Sequence, residues 1–93
     1  MDPVVLTAPA ELDAANSSAF RDEVAFCLAA GAEQVVIDLI YVRFIDSSGI
    51  GALMGLTKRA AALGAELVIR NVGVNAQTTL RISGAAKILP IEA

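Results

Sequence analysis

Short runs of β-branched and apolar residues alternate with longer segments of helical periodicity along the whole sequence. In chain order, the predicted elements are a strand at residues 4–6, a helix at 14–30, a strand at 34–38, a helix at 48–63, a strand at 67–69, a helix at 74–83 and a last strand at 88–91. Strands that alternate with helices over short connections run parallel, and the helices pack on the sheet that the strands form. The sequence therefore predicts one small α/β domain over residues 1–93, with a mostly parallel four-stranded sheet.

Several residues predict how these elements pack. The β-branched run at residues 35–37 predicts a strand that is buried on both faces. Asp13 is expected to be the N-cap of the first helix. Gly51 and Gly55 are four residues apart on one face of the second helix, which predicts a close approach of that helix to the sheet. The predicted inner face of the second helix carries Ile50, Leu53, Met54, Thr57 and Ala61.

The composition excludes several classes of function. The chain has no histidine, which removes the Ser-His-Asp and Cys-His catalytic arrangements and most zinc sites. Seven lysines and arginines stand against ten aspartates and glutamates without forming a basic stripe, so nucleic-acid binding is disfavoured. Gly49, Gly51 and Gly55 miss the G-x-G-x-x-G spacing by one residue. We therefore expect no enzyme activity, no catalytic residue, no metal and no cofactor.

Membrane insertion is not expected either. The most apolar stretches, such as residues 49–56, are far shorter than the roughly 20 residues that span a bilayer. The first residues lack the basic segment and long apolar core of a signal peptide. We expect a soluble, cytoplasmic protein.

The sequence Phe-Ile-Asp-Ser-Ser-Gly-Ile-Gly at residues 44–51 joins a predicted strand end to the second helix. The unpaired N–H groups and positive dipole of a helix N-terminus suit a phosphate group. An acid or a hydroxyl at this point is commonly an N-cap, but only one of Asp46, Ser47 and Ser48 can fill that position. The two that remain suggest a function, and Ser47 is the candidate for phosphorylation by another enzyme.

Polar residues also follow the other predicted strands, with Asp13 in the first connection and Asn71 after the third strand. The carboxyl ends of parallel strands meet at one edge of a sheet, where open α/β folds place their sites. We therefore expect Asp13, Asn71 and residues 46–48 to share one surface.

With these residues considered, the chain resembles a STAS domain, and within that family the bacterial anti-sigma factor antagonists (anti-anti-sigma factors). The resemblance is carried by residues 44–51, 36–39, 11–13, 83–84 and 88–91. It extends over nearly the whole chain.

The resemblance implies that Ser47, which directly follows Asp46, is phosphorylated. The kinase would be the anti-sigma factor itself, a serine/threonine kinase that the unphosphorylated antagonist binds to release the sigma factor. Phosphorylation would abolish this binding, and a metal-dependent PP2C-type phosphatase would restore it. The partner-binding surface expected from the resemblance and the converging strand ends comprises Asp13, Asp46, Ser47, Ser48, Gly49, Ile50, Gly51 and Asn71.

The chain departs from the family pattern near both ends. Members usually have another strand before residues 4–6 and a further helix after the last strand, and neither is predicted here. An unpaired sheet edge is open to pairing with another chain, so the oligomeric state stays open. The resemblance also leaves a second function open, that of a phosphorylation-independent accessory subunit of an ABC-type lipid transporter.

Overall fold

The computed structural model describes residues 2–92, which form five strands, three α-helices and one 3-10 turn. In chain order these are β1 (Val4–Thr7), β2 (Glu11–Leu12), α1 (Ser17–Ala29), β3 (Gln34–Asp38), β4 (Phe44–Ile45), α2 (Ser47–Ala62), β5 (Glu66–Arg70), α3 (Val74–Ser83) and the 3-10 turn (Ala85–Lys87). A central parallel sheet has the strand order β1-β3-β5, and β2 and β4 form a separate parallel pair. The predicted α/β class with parallel strands and packed helices is confirmed.

The strand count differs from the predicted four. Residues 88–91 contribute only one parallel bridge, between Ile91 and Ile69 of β5. In this bridge the Ile69 N–H donates to the Pro90 carbonyl oxygen at 2.9 Å, and the Glu92 N–H donates to the Ile69 oxygen at 2.7 Å. Pro90 has no N–H of its own to extend a ladder, which explains why a full strand does not form.

The central sheet is buried on one face and half-exposed on the other. Leu6, Ile37 and Ile69 lie opposite one another in the register, and all three are buried in the core. The next row, on the other face, contains Val5, which is exposed, and Val36, which is half-buried. The prediction that β3 is buried on both faces is therefore wrong, because alternate residues of this strand meet different surroundings.

The buried face of helix α2 differs from the predicted inner face. Its buried residues are Gly49, Ala52, Leu53, Leu56 and Ala60. Of the predicted set only Leu53 is fully buried, and Ala61 is exposed. The helix packs against α1 as well as against β4 and β5. Its apolar face is therefore set by several neighbours, a tertiary arrangement that periodicity alone does not define.

The close approach of α2 occurs at a different glycine from those predicted. Gly51 and Gly55 are exposed, and a Cβ atom at either would meet no described atom within 4 Å. Gly49 is buried, and a Cβ atom there would collide with the Leu12 carbonyl oxygen and lie 2.9 Å from Cγ1 of Ile45. The first turn of α2 therefore rests directly on the β2–β4 pair, through the only residue type that leaves room.

Candidate functional site

Asp46 is the N-cap of α2 and settles which residue of the motif performs that role. Its Oδ1 accepts hydrogen bonds from the Ser48 N–H at 2.9 Å and the Gly49 N–H at 3.1 Å. Its carbonyl oxygen accepts from the Ile50 N–H at 3.0 Å. The side chains of Ser47 and Ser48 are exposed on the first turn of the helix. Both hydroxyls are therefore accessible at the surface while the helix end is already capped.

Asp46 also joins the motif to the connection between β2 and α1. Its Oδ2 accepts from the Ala14 N–H at 3.3 Å, and its own N–H donates to the Leu12 carbonyl oxygen at 3.2 Å. Strands β2 and β4 are parallel, with Leu12 opposite Ile45. Asp13 and Asp46 thus follow neighbouring strands at the same end, and the structure brings the two predicted site residues together.

The prediction that Asp13 caps the first helix is wrong. Helix α1 begins at Ser17, and Asp13 lies in a tight turn before it. In that turn the Asp13 Oδ1 accepts from the Ala15 N–H at 3.0 Å, and its N–H donates to Oδ1 of Asn16 at 2.9 Å. The Asn16 side chain also donates to the Glu11 carbonyl oxygen. Local hydrogen bonds of Asp and Asn side chains stabilise such turns in place of the start of a helix. Helix α1 therefore begins about one turn later than predicted.

The remaining motif residues differ in what they present to solvent. Gly49 is buried beneath β2 and β4, Ile50 is half-buried, and Gly51 is exposed. Gly49 therefore sets the distance between the serines and the Asp13 turn, whereas Ser47, Ser48 and Gly51 are open to a partner.

Asn71 follows the end of β5 and belongs to a second polar cluster. Its Nδ2 donates to Oδ1 of Asp38 at 3.1 Å, so its side-chain hydrogen bond leads to the end of β3 rather than to the Asp46 turn. Its φ angle is 58°, in the left-handed region that Asn tolerates better than most residues. The same Asp38 oxygen accepts from the Ile40 N–H at 3.0 Å, and Oδ2 lies 3.7 Å from Nε of Arg70.

This cluster lowers the pKa of Asp38. Burial of the carboxyl acts to raise the pKa, but the hydrogen bonds from Asn71 and Ile40 and the charge of Arg70 together outweigh it. Asp38 therefore stays ionised and organises the segment that leads into β4. Sequence reasoning missed Asp38, although an acid that ends a β-branched run was a signal available for it.

Within residues 2–92, no group of three or more His, Cys, Asp or Glu side chains lies close enough together to hold a metal ion. In the same part of the chain, no helix is both long enough and apolar enough to cross a bilayer.

Comparisons with known proteins connect this arrangement to a family. The STAS domain model matches residues 1–93. An anti-sigma F factor antagonist from Paenibacillus polymyxa is 36% identical over 59 residues, which are 63% of this chain and 50% of that protein. The match to this curated relative therefore spans about half of its length.

Two solved structures extend the comparison. The anti-sigma factor antagonist SpoIIAA in its unphosphorylated form has a TM-score of 0.79 and 20% identity, over 99% of this chain and 81% of that chain. An anti-sigma factor antagonist from Mycobacterium paratuberculosis has a TM-score of 0.82 and 21% identity, over 94% and 74%. At these identities the likeness establishes a shared fold.

The parallel sheet, the short β2–β4 pair and the capped helix with exposed serines define a small α/β domain of the STAS type. Because the family model matches the full length of the sequence, the chain belongs to the STAS domain family. The resemblance inferred from residues 44–51 is thereby confirmed.

Proposed function

We propose that the chain is an anti-sigma factor antagonist whose unphosphorylated form binds an anti-sigma factor and thereby releases a sigma factor. The anti-sigma factor is a serine/threonine kinase that phosphorylates Ser47, and a PP2C-type phosphatase removes the phosphate. The observation that carries this proposal is the exposed Ser47 at the start of α2, beside an acid that already caps the helix. The relative and the solved structures named as anti-sigma factor antagonists support the class of partner. In this role the chain is a cytoplasmic binding regulator and not an enzyme.

The geometry of the helix end supports a switch that acts on the partner rather than on the fold. Phosphorylation adds a charge of about −1.5 to −2 at pH 7. Three N–H groups of the first turn, those of Ser48, Gly49 and Ile50, already donate to Asp46. A phosphate on Ser47 therefore meets the negative charge of Asp46 instead of an open set of donors, and it projects from the surface. A partner that packs closely on this surface is repelled by the added charge and bulk.

The Asp13 turn extends the proposed contact surface. The Ala14 N–H bonds to Asp46, so the turn is held against the start of α2 in a defined position. Asp13 is half-buried and remains partly open to a partner. We assign it a supporting role in binding.

Intact-mass analysis after incubation with ATP and each candidate anti-sigma kinase of the same genome tests the proposal. The wild-type chain gains one phosphate, Ser47→Ala gains none, and Ser48→Ala serves as the matched control and gains one. Both variants keep the cap of α2, because Asp46 bonds to backbone N–H groups that neither substitution removes. Ser47→Asp binds the same kinase at least about tenfold more weakly than wild type.

Phosphate on Ser47→Ala but not on Ser48→Ala would assign the modification to Ser48. A wild-type chain that no candidate kinase phosphorylates or binds would refute the proposal, and co-purification with a transporter ATPase would then favour the accessory-subunit function.

A further inference from the structure

An apolar segment precedes the phosphorylation site proposed above. In the connection from β3 to β4, Leu39 and Val42 lie in the core and the other residues are exposed. Ile40 and Tyr41, which lie between these two residues, are 58% and 66% exposed, and Phe44, which follows them, is 53% exposed. Single exposed apolar side chains are normal on a protein surface, but three large ones within five residues form a local concentration. We call Ile40, Tyr41 and Phe44 the apolar triplet.

The backbone that carries the apolar triplet is held in place by the Asp38 cluster. The Ile40 N–H and the Asn71 side chain both donate to Oδ1 of Asp38, at 3.0 and 3.1 Å. The Leu39 N–H donates to the Arg70 carbonyl oxygen at 3.0 Å. A segment that is ordered before binding loses less conformational entropy when it binds, which is a property of interface anchors.

The triplet lies within the reach of one interface that also covers Ser47. Seven residue steps separate Ile40 from Ser47, so their Cα atoms are at most about 25 Å apart. A protein of standard interface size covers about 800 Å² on each partner, a patch roughly 30 Å across. Phe44 is closer still, since only Ile45 and Asp46 stand between it and Ser47.

The chemistry of the triplet also suits the centre of an interface. Interface cores are enriched in aromatic residues and depleted of charge, and Tyr is among the residues most often found as an energetic anchor. Arg43, which is exposed between Tyr41 and Phe44, is the one charged residue within this segment, and arginine is itself enriched in interface cores. The charge of Asp38 is offset by Arg70. The matching partner surface is an apolar recess, with an acceptor for the tyrosine hydroxyl.

We propose that the apolar triplet anchors the chain to the same anti-sigma kinase that phosphorylates Ser47, and that this kinase has an apolar recess next to its phosphoryl-transfer site. This inference rests on the proposed function and assigns separate roles in binding to the apolar triplet and to Ser47. The triplet supplies affinity in both phosphorylation states, whereas Ser47 supplies the difference between them.

The test compares Ile40→Ala/Tyr41→Ala with the wild type in binding and in phosphorylation kinetics, using the kinase found by mass analysis. The double variant binds the kinase about 10- to 100-fold more weakly. Its KM for phosphorylation rises by a similar factor while kcat stays within about twofold, because the reacting serine is untouched. Tyr41→Phe retains most of the affinity, since it keeps the apolar area.

Phe26→Ala is the control, because Phe26 is 74% exposed on α1 and its neighbours include Val4 and Gly31, away from the carboxyl ends of the strands. It binds as the wild type does. Equal binding by the double variant and by Phe26→Ala would overturn this inference and leave the Ser47 switch intact. A kcat that falls with unchanged KM would overturn it too. A wild-type chain that binds no candidate kinase would overturn both.

Discussion

Replacement of Gly49 by alanine tests how the start of α2 is positioned. The added Cβ would collide with the Leu12 carbonyl oxygen and lie 2.9 Å from Cγ1 of Ile45 and 3.0 Å from the Leu12 carbonyl carbon. Two of these atoms belong to the backbone of β2 and cannot turn aside as a flexible side chain can. The substitution must therefore push α2 away from the β2–β4 pair.

The expected change in the free energy of unfolding of Gly49→Ala follows from two opposing effects. Overpacking in a close contact costs about 1–3 kcal/mol, and the higher helix propensity of alanine offsets up to about 1 kcal/mol of this. We expect Gly49→Ala to lower the free energy of unfolding by about 1–2 kcal/mol. Gly51→Ala is the matched control on the same helix. Its Cβ meets no described atom within 4 Å, so it should raise the free energy of unfolding by about 0.5–1 kcal/mol.

Urea denaturation monitored by circular dichroism measures both variants, and thermal unfolding provides a second readout. For a domain of this size, 1 kcal/mol corresponds to a Tm shift of about 4–8 °C. The two variants should therefore differ by about 6 °C or more, in opposite directions from the wild type. Equal stability of Gly49→Ala and Gly51→Ala would refute the close contact between α2 and β2.

Two further substitutions probe the polar contacts. Asp46→Ala removes the side-chain cap of α2 and the bond to the Ala14 N–H, and should lower the free energy of unfolding, measured by urea titration, by about 1–2 kcal/mol. Asp46→Asn should recover most of this loss. Equal losses in the two variants would contradict the capping role. Because the pKa of Asp38 is below its ordinary value of 3.8 in the folded chain, its ionised form stabilises the fold at neutral pH, and this contribution is lost as the pH falls through 3.8 towards the folded pKa. Asp38→Asn should therefore flatten the acid limb of the stability curve, measured as the free energy of unfolding between about pH 5 and pH 2, and an unchanged slope would contradict the assignment.

The difference between local and tertiary information is clearest in the residues of the site. Asp46 and Ser47 were recognisable because strand-end and helix-start signals meet within a few residues, and such signals depend on nearby backbone groups. The prediction for Asp13 is wrong, because Asp13 and Asn16 hydrogen-bond within a turn, and helix α1 begins only after Asn16. Asn71 was expected at the strand ends, but its partner Asp38 lies 33 residues away and is reached only through the β3–β5 register.

The sequence by itself determined the α/β class, the approximate places of the helices, the family and the exposed serine after Asp46. The fold class, the helices and the exposed serine follow from periodicity and from hydrogen bonds between neighbouring residues, which the chain specifies locally. The family follows from the resemblance carried by residues 44–51 and the other matching segments. Only the tertiary structure decided which face of α2 is buried, which glycine touches β2, and that residues 88–91 form a single bridge rather than a strand. Each of these depends on the register and distance between segments far apart in the chain, and therefore on how all of them pack at once.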